Sequence, residues 1–211
     1  MAPSADELRA GPVAAAIRDR RLIAVLRRVA PRDRLFELVD TLVADDITIL
    51  EITLDAPDAA EDVAAVRDRV GTAAWVGAGT IRTLDQLGRA IDAGAAFGVS
   101  PVLDLVIASA AVGAGLPFVP GAATPTEADA AWRAGAAFVK LFPGSSLGPT
   151  FVRELRGPLP EIETIVTGGI DDTNARAFLD AGATAVGIGS ALARMATSDR
   201  RALAAATRAP R

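Results

Sequence analysis

Residues 131–143 read AWRAGAAFVKLFP and contain the unit on which the fold prediction is built. A helical segment ends in Ala-Gly, a short apolar run with β-forming residues follows, and a loop comes next. The same order recurs at 90–101 (AIDAGAAFGVSP) and at 178–190 (FLDAGATAVGIGS). Each copy places a glycine where the end of a helix requires a left-handed residue. These glycines are Gly94, Gly135 and Gly182.

The whole chain follows this pattern and predicts eight strands separated by helices. The strands are expected near Leu22–Leu26, Ile47–Leu54, Trp75–Ala78, Phe97–Val99, Phe118–Val119, Ala137–Phe142, Thr164–Val166 and Ala185–Ile188. The helices are expected near Arg32–Ala44, Pro57–Val70, Leu84–Ala93, Leu103–Val112, Pro125–Ala134, Pro149–Arg156, Thr173–Ala181 and Asp199–Arg208. An extra helix near Ala5–Arg20 precedes the first strand.

Eight β/α units with apolar strands and short loops predict an α/β protein, a (β/α)₈ TIM barrel with an extra N-terminal helix. A doubly wound open sheet is the alternative. No shift in composition marks a second domain, so residues 1–211 are expected to form one barrel. In such a barrel, polar residues at the C-terminal ends of the strands face the active site.

The composition excludes several classes of function. The chain has 211 residues, of which 51% are apolar and 23% charged, as in one globular domain. Its net charge is -4 and its arginines are dispersed, so nucleic acid is not an expected partner. Cysteine and histidine are absent, which excludes Cys/His zinc sites, thiol nucleophiles and Ser-His-Asp triads. Acid–base chemistry therefore depends on carboxylates, amines, hydroxyls or water.

Neither a secretory signal nor a membrane span is expected in this sequence. The first twenty residues carry early acidic charge and no uninterrupted apolar run, so no secretory signal is predicted and a cytoplasmic location is expected. Residues 105–126 are free of charge and long enough to cross a bilayer. Several glycines and prolines interrupt them, which predicts helix, turn, strand and loop in a protein core. No membrane partner is expected.

Lys140 is the only lysine in the chain, and it lies in the predicted sixth strand among apolar neighbours. A primary amine forms a Schiff base with a carbonyl substrate, whereas a guanidinium does not. Lys140 is therefore the candidate nucleophile. The alternative is a lysine at a strand end that extends its amine to water.

Glu51 interrupts another apolar strand, ITILEITL at 47–54. A carboxylate in this position is expected to point into the barrel and to act as a general acid and base near Lys140. The alternatives are a buried ion pair and an exposed position at the edge of the strand.

Two glycine-rich segments, VTGGI at 166–170 and VGIGS at 186–190, end the seventh and eighth strands. Loops at these positions in barrels commonly bind phosphate through backbone N–H groups, since glycine lets an anion approach closely. Ordinary turns are the alternative. The candidate substrate-binding residues are Thr167, Gly168, Gly169, Gly189 and Ser190.

Arg27 follows the first strand and is the candidate partner for a substrate carboxylate, because its planar guanidinium binds a carboxylate through two hydrogen bonds. The side chain of Arg28, the next residue, is expected to point away from the side of the strand that Arg27 faces. A surface role for Arg27 is the alternative. Thr80, Pro101 and Phe142 also stand at strand ends, where each is compatible with an ordinary loop.

Eight motifs occur in the order of a known family. They are EITL (51–54), VGAGT (76–80), VSP (99–101), PGAATPTE (120–127), KLFPG (140–144), GPLP (157–160), TGGI (167–170) and GIGSAL (187–192). Together they resemble the 2-keto-3-deoxy-6-phosphogluconate (KDPG) aldolase family, which includes phosphogalactonate and 4-hydroxy-2-oxoglutarate aldolases. The resemblance covers roughly Leu22 to Leu192. It implies a (β/α)₈ barrel, usually a homotrimer, and a class I aldol cleavage without metal or cofactor.

The resemblance also assigns residues. It implies that Lys140 is the Schiff-base lysine, Phe142 its packing aromatic and Glu51 the acid and base. It implies further that Thr80 contacts pyruvate and Pro101 lines the same pocket. The phosphate loops fall on Gly168, Gly169, Gly189 and Ser190.

One departure from the family pattern affects the substrate. Many phosphogluconate aldolases read E-V-T-L-R-T, with an arginine for the substrate carboxylate, whereas this chain has Asp55 at that position. Other branches carry an arginine at the end of the first strand, which matches Arg27. The expected reaction is cleavage of KDPG to pyruvate and glyceraldehyde 3-phosphate.

The alternatives within the family are the same chemistry on the phosphogalactonate epimer or on 4-hydroxy-2-oxoglutarate. Outside it, a non-covalent sugar-phosphate isomerase, epimerase or synthase and a non-catalytic binder stay open.

Overall fold

The computed structural model describes residues 3–209. The helices are α1 (Ala5–Ala10), α2 (Pro12–Arg20), α3 (Arg32–Ala44), α4 (Ala59–Val70), α5 (Leu84–Asp92), α6 (Leu105–Gly113), α7 (Pro125–Arg133), α8 (Gly144–Arg156), α9 (Ala175–Asp180), α10 (Ser190–Arg194) and α11 (Thr197–Thr207). The strands are β1 (Leu22–Leu26), β2 (Ile49–Thr53), β3 (Trp75–Gly79), β4 (Gly98–Val99), β5 (Phe118–Val119), β6 (Gly121–Ala122), β7 (Val139–Leu141), β8 (Thr164–Thr167) and β9 (Ala185–Ile188).

The nine strands form one parallel sheet in the order β5-β4-β3-β2-β1-β9-β8-β7-β6. The first and last strands of this order are separated in the chain by Pro120 alone. A proline lacks the N–H group that a strand contributes to its ladder. The Pro120 carbonyl still accepts a 2.9 Å hydrogen bond from the Lys140 amide. The sheet is therefore a nearly closed parallel barrel with helices outside it.

The alternation of side chains along β2 shows how the barrel is filled. Leu50 and Ile52 pack in the large core between sheet and helices, whereas Ile49 belongs to a second cluster in the barrel interior. Since side chains alternate along a strand, Glu51 and Thr53 share the inward side with Ile49. The interior cluster also holds Val13, Ala14 and Ile17 of α2, Ile23, Phe97, Val99, Val119, Ala137, Phe138, Ile165 and Ala185. On the inward side of β2, the apolar Ile49 therefore lies nearer the N-terminal end of the strand, and the polar Glu51 and Thr53 lie nearer its C-terminal end.

The last helix, α11, is attached to the end of α3 by a buried charged cluster. Arg200 donates to Asp45 at 2.6 Å and to Thr197 at 3.0 Å, and it also donates to the Met195 carbonyl. Arg201 donates to the other Asp45 oxygen at 2.9 Å. The side chains of Asp45 and Arg200 are 2% and 7% exposed. The contacts of Arg200 and Arg201 with Asp45 join α11 to the end of α3, and the Arg200–Thr197 contact lies within α11.

The structure corrects the predicted extra N-terminal helix. The single helix expected over 5–20 is two helices, because Gly11 is extended (φ -66°, ψ 165°) and caps α1 while Pro12 begins α2. Proline is favoured at a first helical position and disfavoured in a helix interior.

Other boundaries differ less. Helix α8 is broken by Gly148, whose backbone is not helical (φ 74°, ψ 165°), so the predicted helix at 149–156 is its second part and a first part from Gly144 was not predicted. Strand β6 and helix α10 were not predicted, since each is very short. All eight predicted strand segments contain an observed strand. Within residues 3–209, no helix has the length and apolar character to cross a membrane.

Candidate active site

The predicted site residues lie within the strands or just beyond their C-terminal ends. They are Arg27 after β1, Glu51 in β2, Thr80 after β3, Pro101 after β4, Lys140 in β7 with Phe142 after it, Thr167 in β8 with Gly168 and Gly169 after it, and Gly189 and Ser190 after β9. Because all strands are parallel, these ends meet at one rim of the barrel. The structure therefore places the sequence-predicted residues on the same rim.

Lys140 is buried within the strand that carries it. It pairs in register with Gly121 and Ile165, and only 5% of the residue is exposed. Among residues 3–209 its Nζ forms no salt bridge, and it lies 5.4 Å from the centre of the Phe142 ring. The amine is thus withdrawn from water and does not extend to the surface.

Glu51 is 1% exposed, and its Oε1 is a buried oxygen without a hydrogen-bond partner among the described residues. Gly79 on the neighbouring strand makes room for it, because a Cβ at Gly79 would overlap Oε1. A buried acceptor left unpaired is costly. A carboxylate held in this way is available to a ligand or to water.

Thr167 is a second buried polar group of this kind. The residue is 5% exposed, and its Oγ1 has no partner within the part of the chain that the structure describes. A Cβ at Gly187, its neighbour on β9, would lie 2.6 Å from Thr167 Cγ2. The glycine thus leaves space for the threonine on the inward side of the barrel.

Arg27 takes part in a network at the ends of the first three strands. Its Nη1 donates to Asp55 Oδ2 at 2.9 Å and its Nη2 donates to Thr80 Oγ1 at 3.4 Å. Thr53 Oγ1 donates to the other Asp55 oxygen at 2.7 Å. Thr80 has a left-handed backbone (φ 60°), an uncommon conformation for a residue with a Cβ. The network brings together two predicted residues, Arg27 and Thr80, and two that were not assigned to the site.

The expected direction of Arg28 is wrong. Its Nε lies 3.2 Å from Asp55 Oδ2, so it approaches the same carboxylate as Arg27. Strand β1 ends at Leu26, and Arg28 has a left-handed backbone (φ 50°). The alternation of a strand therefore does not extend to this residue.

Asp55 is held in its charged form. Burial acts to raise the pKa of its carboxyl group, and the hydrogen bond from Thr53 with the charges of Arg27 and Arg28 outweighs burial. The pKa of Asp55 therefore lies below its ordinary value. A carboxylate with this pKa stays charged throughout the neutral range.

The glycine loops have the conformation expected of an anion site. Gly168 and Gly169 are left-handed, with φ of 91° and 74°. Among residues 3–209, the amides of Gly168, Gly169, Gly189 and Ser190 donate to no main-chain carbonyl. A Cβ at Gly168 would lie 2.8 Å from the Phe142 ring, so this glycine also lets the aromatic pack against the loop. Free backbone N–H groups of this kind bind phosphate oxygens.

Pro101 lies beside strand β6. Its carbonyl oxygen occupies the space that a Cβ at Gly121 would need, and the Gly121 amide donates to the Val102 carbonyl at 3.2 Å. The loop after β4 is thereby fixed against β6. Pro101 itself is half-buried at the rim.

Two cavities flank the loop between β1 and α3. One, of about 290 Å³, is lined by Arg27 together with Gly189 and Ser190 and so joins the candidate carboxylate and phosphate residues. The other, of about 710 Å³, is lined by Thr53 and Asp55 on the opposite side of the loop. Neither of these two cavities is lined by Glu51 or Lys140, so both lie beside the loop and not over the buried amine.

Sequence reasoning missed Thr53, Asp55 and Gly79. Asp55 was considered only as a residue that cannot bind a carboxylate, although Glu51, Thr53 and Asp55 occupy every second position, as expected for one side of a strand. That alternation was the available signal. The role of Gly79 depends on where the Glu51 side chain lies, which has no local sequence signal.

Comparison with known proteins agrees with this geometry. A family model for KDPG and KHG aldolases matches residues 13–208. The chain is 34% identical over 181 residues to the 2-dehydro-3-deoxy-6-phosphogalactonate aldolase of Escherichia coli strain K12, covering 85% of this chain and 88% of the relative. It is 34% identical over 192 residues to a probable aldolase of the same name from Rhizobium meliloti strain 1021, covering 90% of each.

A solved structure described as native KDPGal superimposes with a TM-score of 0.79 at 33% identity and covers 88% of this chain and 91% of its own. The family model spans almost the whole described chain, and both relatives are matched over most of their length. This chain therefore belongs to the KDPG and KHG aldolase family, whose members are carbon–carbon lyases.

Proposed function

We propose that this protein is a class I aldolase that cleaves a 2-keto-3-deoxy-6-phospho sugar acid to pyruvate and glyceraldehyde 3-phosphate. The observation that carries the proposal is Lys140, the only lysine of the chain, buried near a strand end without a salt-bridge partner among residues 3–209. Burying an amine without a partner lowers the stability of the fold, so its presence here points to a chemical role. A Schiff base with the substrate ketone is the reaction that this amine supports best.

The reaction begins at Lys140. Its neutral amine attacks the C2 ketone, and the carbinolamine loses water to give an iminium. Glu51 donates and accepts the protons of these steps, directly or through one water. Its unpaired Oε1 leaves it free to do so.

Cleavage follows from the iminium, which accepts electrons. Glu51 or its water takes the proton of the C4 hydroxyl, the C3–C4 bond breaks, and its electron pair moves into the iminium to form an enamine. Glyceraldehyde 3-phosphate leaves as the aldehyde. Protonation of the enamine at C3 and hydrolysis of the resulting iminium release pyruvate and restore Lys140.

The remaining residues hold the two anionic ends of the substrate. Arg27 and Thr80 bind the carboxylate beside the ketone, and Pro101 and Phe142 line the pyruvyl pocket. Thr167 and the free amides of Gly168, Gly169, Gly189 and Ser190 receive the phosphate end. Fixing both ends places the C3–C4 bond above Lys140 and reduces the entropy cost of reaction.

The epimer at C4 is a separate choice. The resemblance to the family gives KDPG as the expected substrate, whereas the two named relatives in the comparison are phosphogalactonate aldolases, which supports that epimer as the second candidate. Because 4-hydroxy-2-oxoglutarate has no phosphate group, activity on it would mean that turnover does not need the phosphate loops. Paired kinetic assays with the three substrates decide among them.

The proposed mechanism is tested by trapping. The protein is incubated with pyruvate and sodium borohydride, and its peptides are analysed by mass spectrometry, with Lys140→Arg as the control. A reduced pyruvyl adduct on the Lys140 peptide, absent from the variant, is the expected result. Pyruvate binding without an adduct would exclude the Schiff base and favour a non-covalent isomerase. Saturable binding of the sugar acids without turnover would favour a non-catalytic binder.

We also propose the architecture and assembly that usually accompany this function. Counting β5 and β6 as one strand divided at Pro120 gives the eight units of a (β/α)₈ barrel formed by the whole chain. Val102, Leu105 and Val106 are 46%, 50% and 65% exposed at the start of α6 and offer an apolar contact for a homotrimer. Light scattering after gel filtration measures the assembly. A cytoplasmic location remains our expectation for such an enzyme.

A further inference from the structure

Asp55 stands where many family members have the arginine that binds the substrate carboxylate. A negative charge at that position would be expected to repel the substrate. Its carboxylate is only 14% exposed, however, and it is surrounded by donors: Thr53 at 2.7 Å, Arg27 at 2.9 Å and Arg28 at 3.2 Å. These contacts direct the negative charge toward protein cations and away from the substrate.

The two arginines differ in what else they contact. Arg27 also donates to Thr80, on the third strand, whereas the only ion pair of Arg28 among residues 3–209 is with Asp55. The side chain of Arg27 is 55% exposed, so part of its guanidinium remains open to a ligand. Two arginines share one carboxylate, and a net positive charge therefore remains at this part of the rim.

We propose that Asp55 is a positioning residue that, anchored by Thr53, fixes the Arg27 guanidinium beside Thr80 so that Arg27 receives the carboxylate of a 2-oxo acid. This inference rests on the proposed function. An arginine side chain has several rotatable bonds, and ordering it only when substrate binds weakens binding. Asp55 orders Arg27 beforehand. Arg27, just after β1, thus supplies the guanidinium that binds the carboxylate, and Asp55, after β2, holds that guanidinium in place.

The test is the substitution Asp55→Ala, measured in two ways. One readout is the pyruvate concentration that half-saturates borohydride trapping at Lys140, and the other is the steady-state kinetics with the phospho sugar acid. Losing the anchor is expected to raise the half-saturating concentration and KM about five- to tenfold, with kcat changed less than about threefold. Asp55→Asn, which keeps the shape and accepts hydrogen bonds, is expected to restore part of the loss.

A double-mutant cycle separates positioning from a general structural role. In an Arg27→Ala background, Asp55→Ala is expected to have no further effect, because the group that it positions is gone. The double variant Arg27→Ala, Asp55→Arg returns a guanidinium to the family position and is expected to bind pyruvate more tightly than Arg27→Ala alone. The proposal is overturned if Asp55→Ala weakens pyruvate binding by the same factor with and without Arg27, or if Asp55→Ala binds pyruvate as the wild-type protein does.

Asp62→Ala is the matched control, because it removes another carboxylate that binds an arginine on this rim, Arg32 at 2.6 Å. It is expected to leave the half-saturating pyruvate concentration unchanged. A thermal melt of each variant confirms folding, and a misfolded Asp55→Ala leaves Asp55→Asn and the double variant to decide. If the wild-type protein forms no adduct, the proposed function fails. If wild type forms one and Asp55→Ala traps equally well, only the positioning role fails.

Discussion

Two groups of buried ionisable side chains in this barrel differ in how their polar atoms are paired. Between α3 and α11, Asp45 accepts from Arg200 and Arg201, and Arg200 donates to further oxygens nearby. In the barrel mouth, Glu51 and Lys140 are only 1% and 5% exposed, yet Glu51 Oε1 has no hydrogen-bond partner and Lys140 no salt bridge among residues 3–209.

The difference indicates what each cluster is for. Burying a charge is unfavourable unless it is paired and hydrogen-bonded. The Asp45 cluster meets this condition and holds two helices together. Glu51 Oε1 and the Lys140 amine do not meet it within residues 3–209, and in the proposed function these are the groups that meet the substrate. Substitutions in the two clusters should therefore separate activity from stability.

Lys140→Met is expected to have the largest effect. Without the amine, turnover should fall about 10⁴-fold or more, since no covalent intermediate can form. The thermal midpoint should stay the same or rise, because an unpaired buried amine is replaced by an apolar side chain of similar length. Kinetics and calorimetry on one preparation measure both. A fall in both would mean that Lys140 also stabilises the fold.

Glu51→Gln comes next. It keeps the shape and removes the proton acceptor, so kcat should fall about 10²–10⁴-fold. Some imine should still form, and the trapping yield with pyruvate measures it. Full activity in this variant would remove Glu51 from the mechanism.

Arg200→Met tests the other cluster. It leaves Asp45 buried with only the more exposed Arg201, and the free energy of unfolding should fall by about 3 kcal/mol. Urea titration measures this, and kcat at 25 °C should be unchanged. If the folded variant lost activity, the Asp45 cluster would be coupled to the active-site residues, and stability and activity would not be separable in this way.

Gly79→Ala is expected to have the smallest effect of the four. Its added Cβ would occupy the position of Glu51 Oε1, and the displaced carboxylate should lower kcat about tenfold. Gly88→Ala is the matched control, because a Cβ at Gly88 in α5 meets no atom within 4 Å. That variant should keep full activity and gain about 0.5–1 kcal/mol of stability.

Much of this could be predicted from local sequence. Apolar runs followed by glycine-containing loops located the eight strand segments, and single polar residues within those runs, Lys140 and Glu51, give the candidate centre of the site. Both signals are local, because strand alternation and loop chemistry depend on near neighbours. The resemblance to a known family then assigned roles to the residues at the strand ends.

The remainder depends on distant contacts. Asp45 and Arg200 are separated by 155 positions, so nothing near either residue predicts their pairing. Arg28 was placed wrongly because its left-handed backbone ends the alternation of β1. Asp55 was set aside because its charge was judged alone, and its meaning changes once the two arginines beside it are known.

The single lysine has a practical consequence for chemical labelling. Every other basic side chain is an arginine, so reagents selective for amines have one side-chain target in the whole protein, and Lys140 is 5% exposed. Acylating dyes and cross-linkers should therefore leave the exterior unmodified apart from the chain terminus. An aldehyde small enough to enter the barrel mouth would have Lys140 as its one side-chain target in each chain. Labelling with amine-selective reagents would therefore report on Lys140 without background from other side chains.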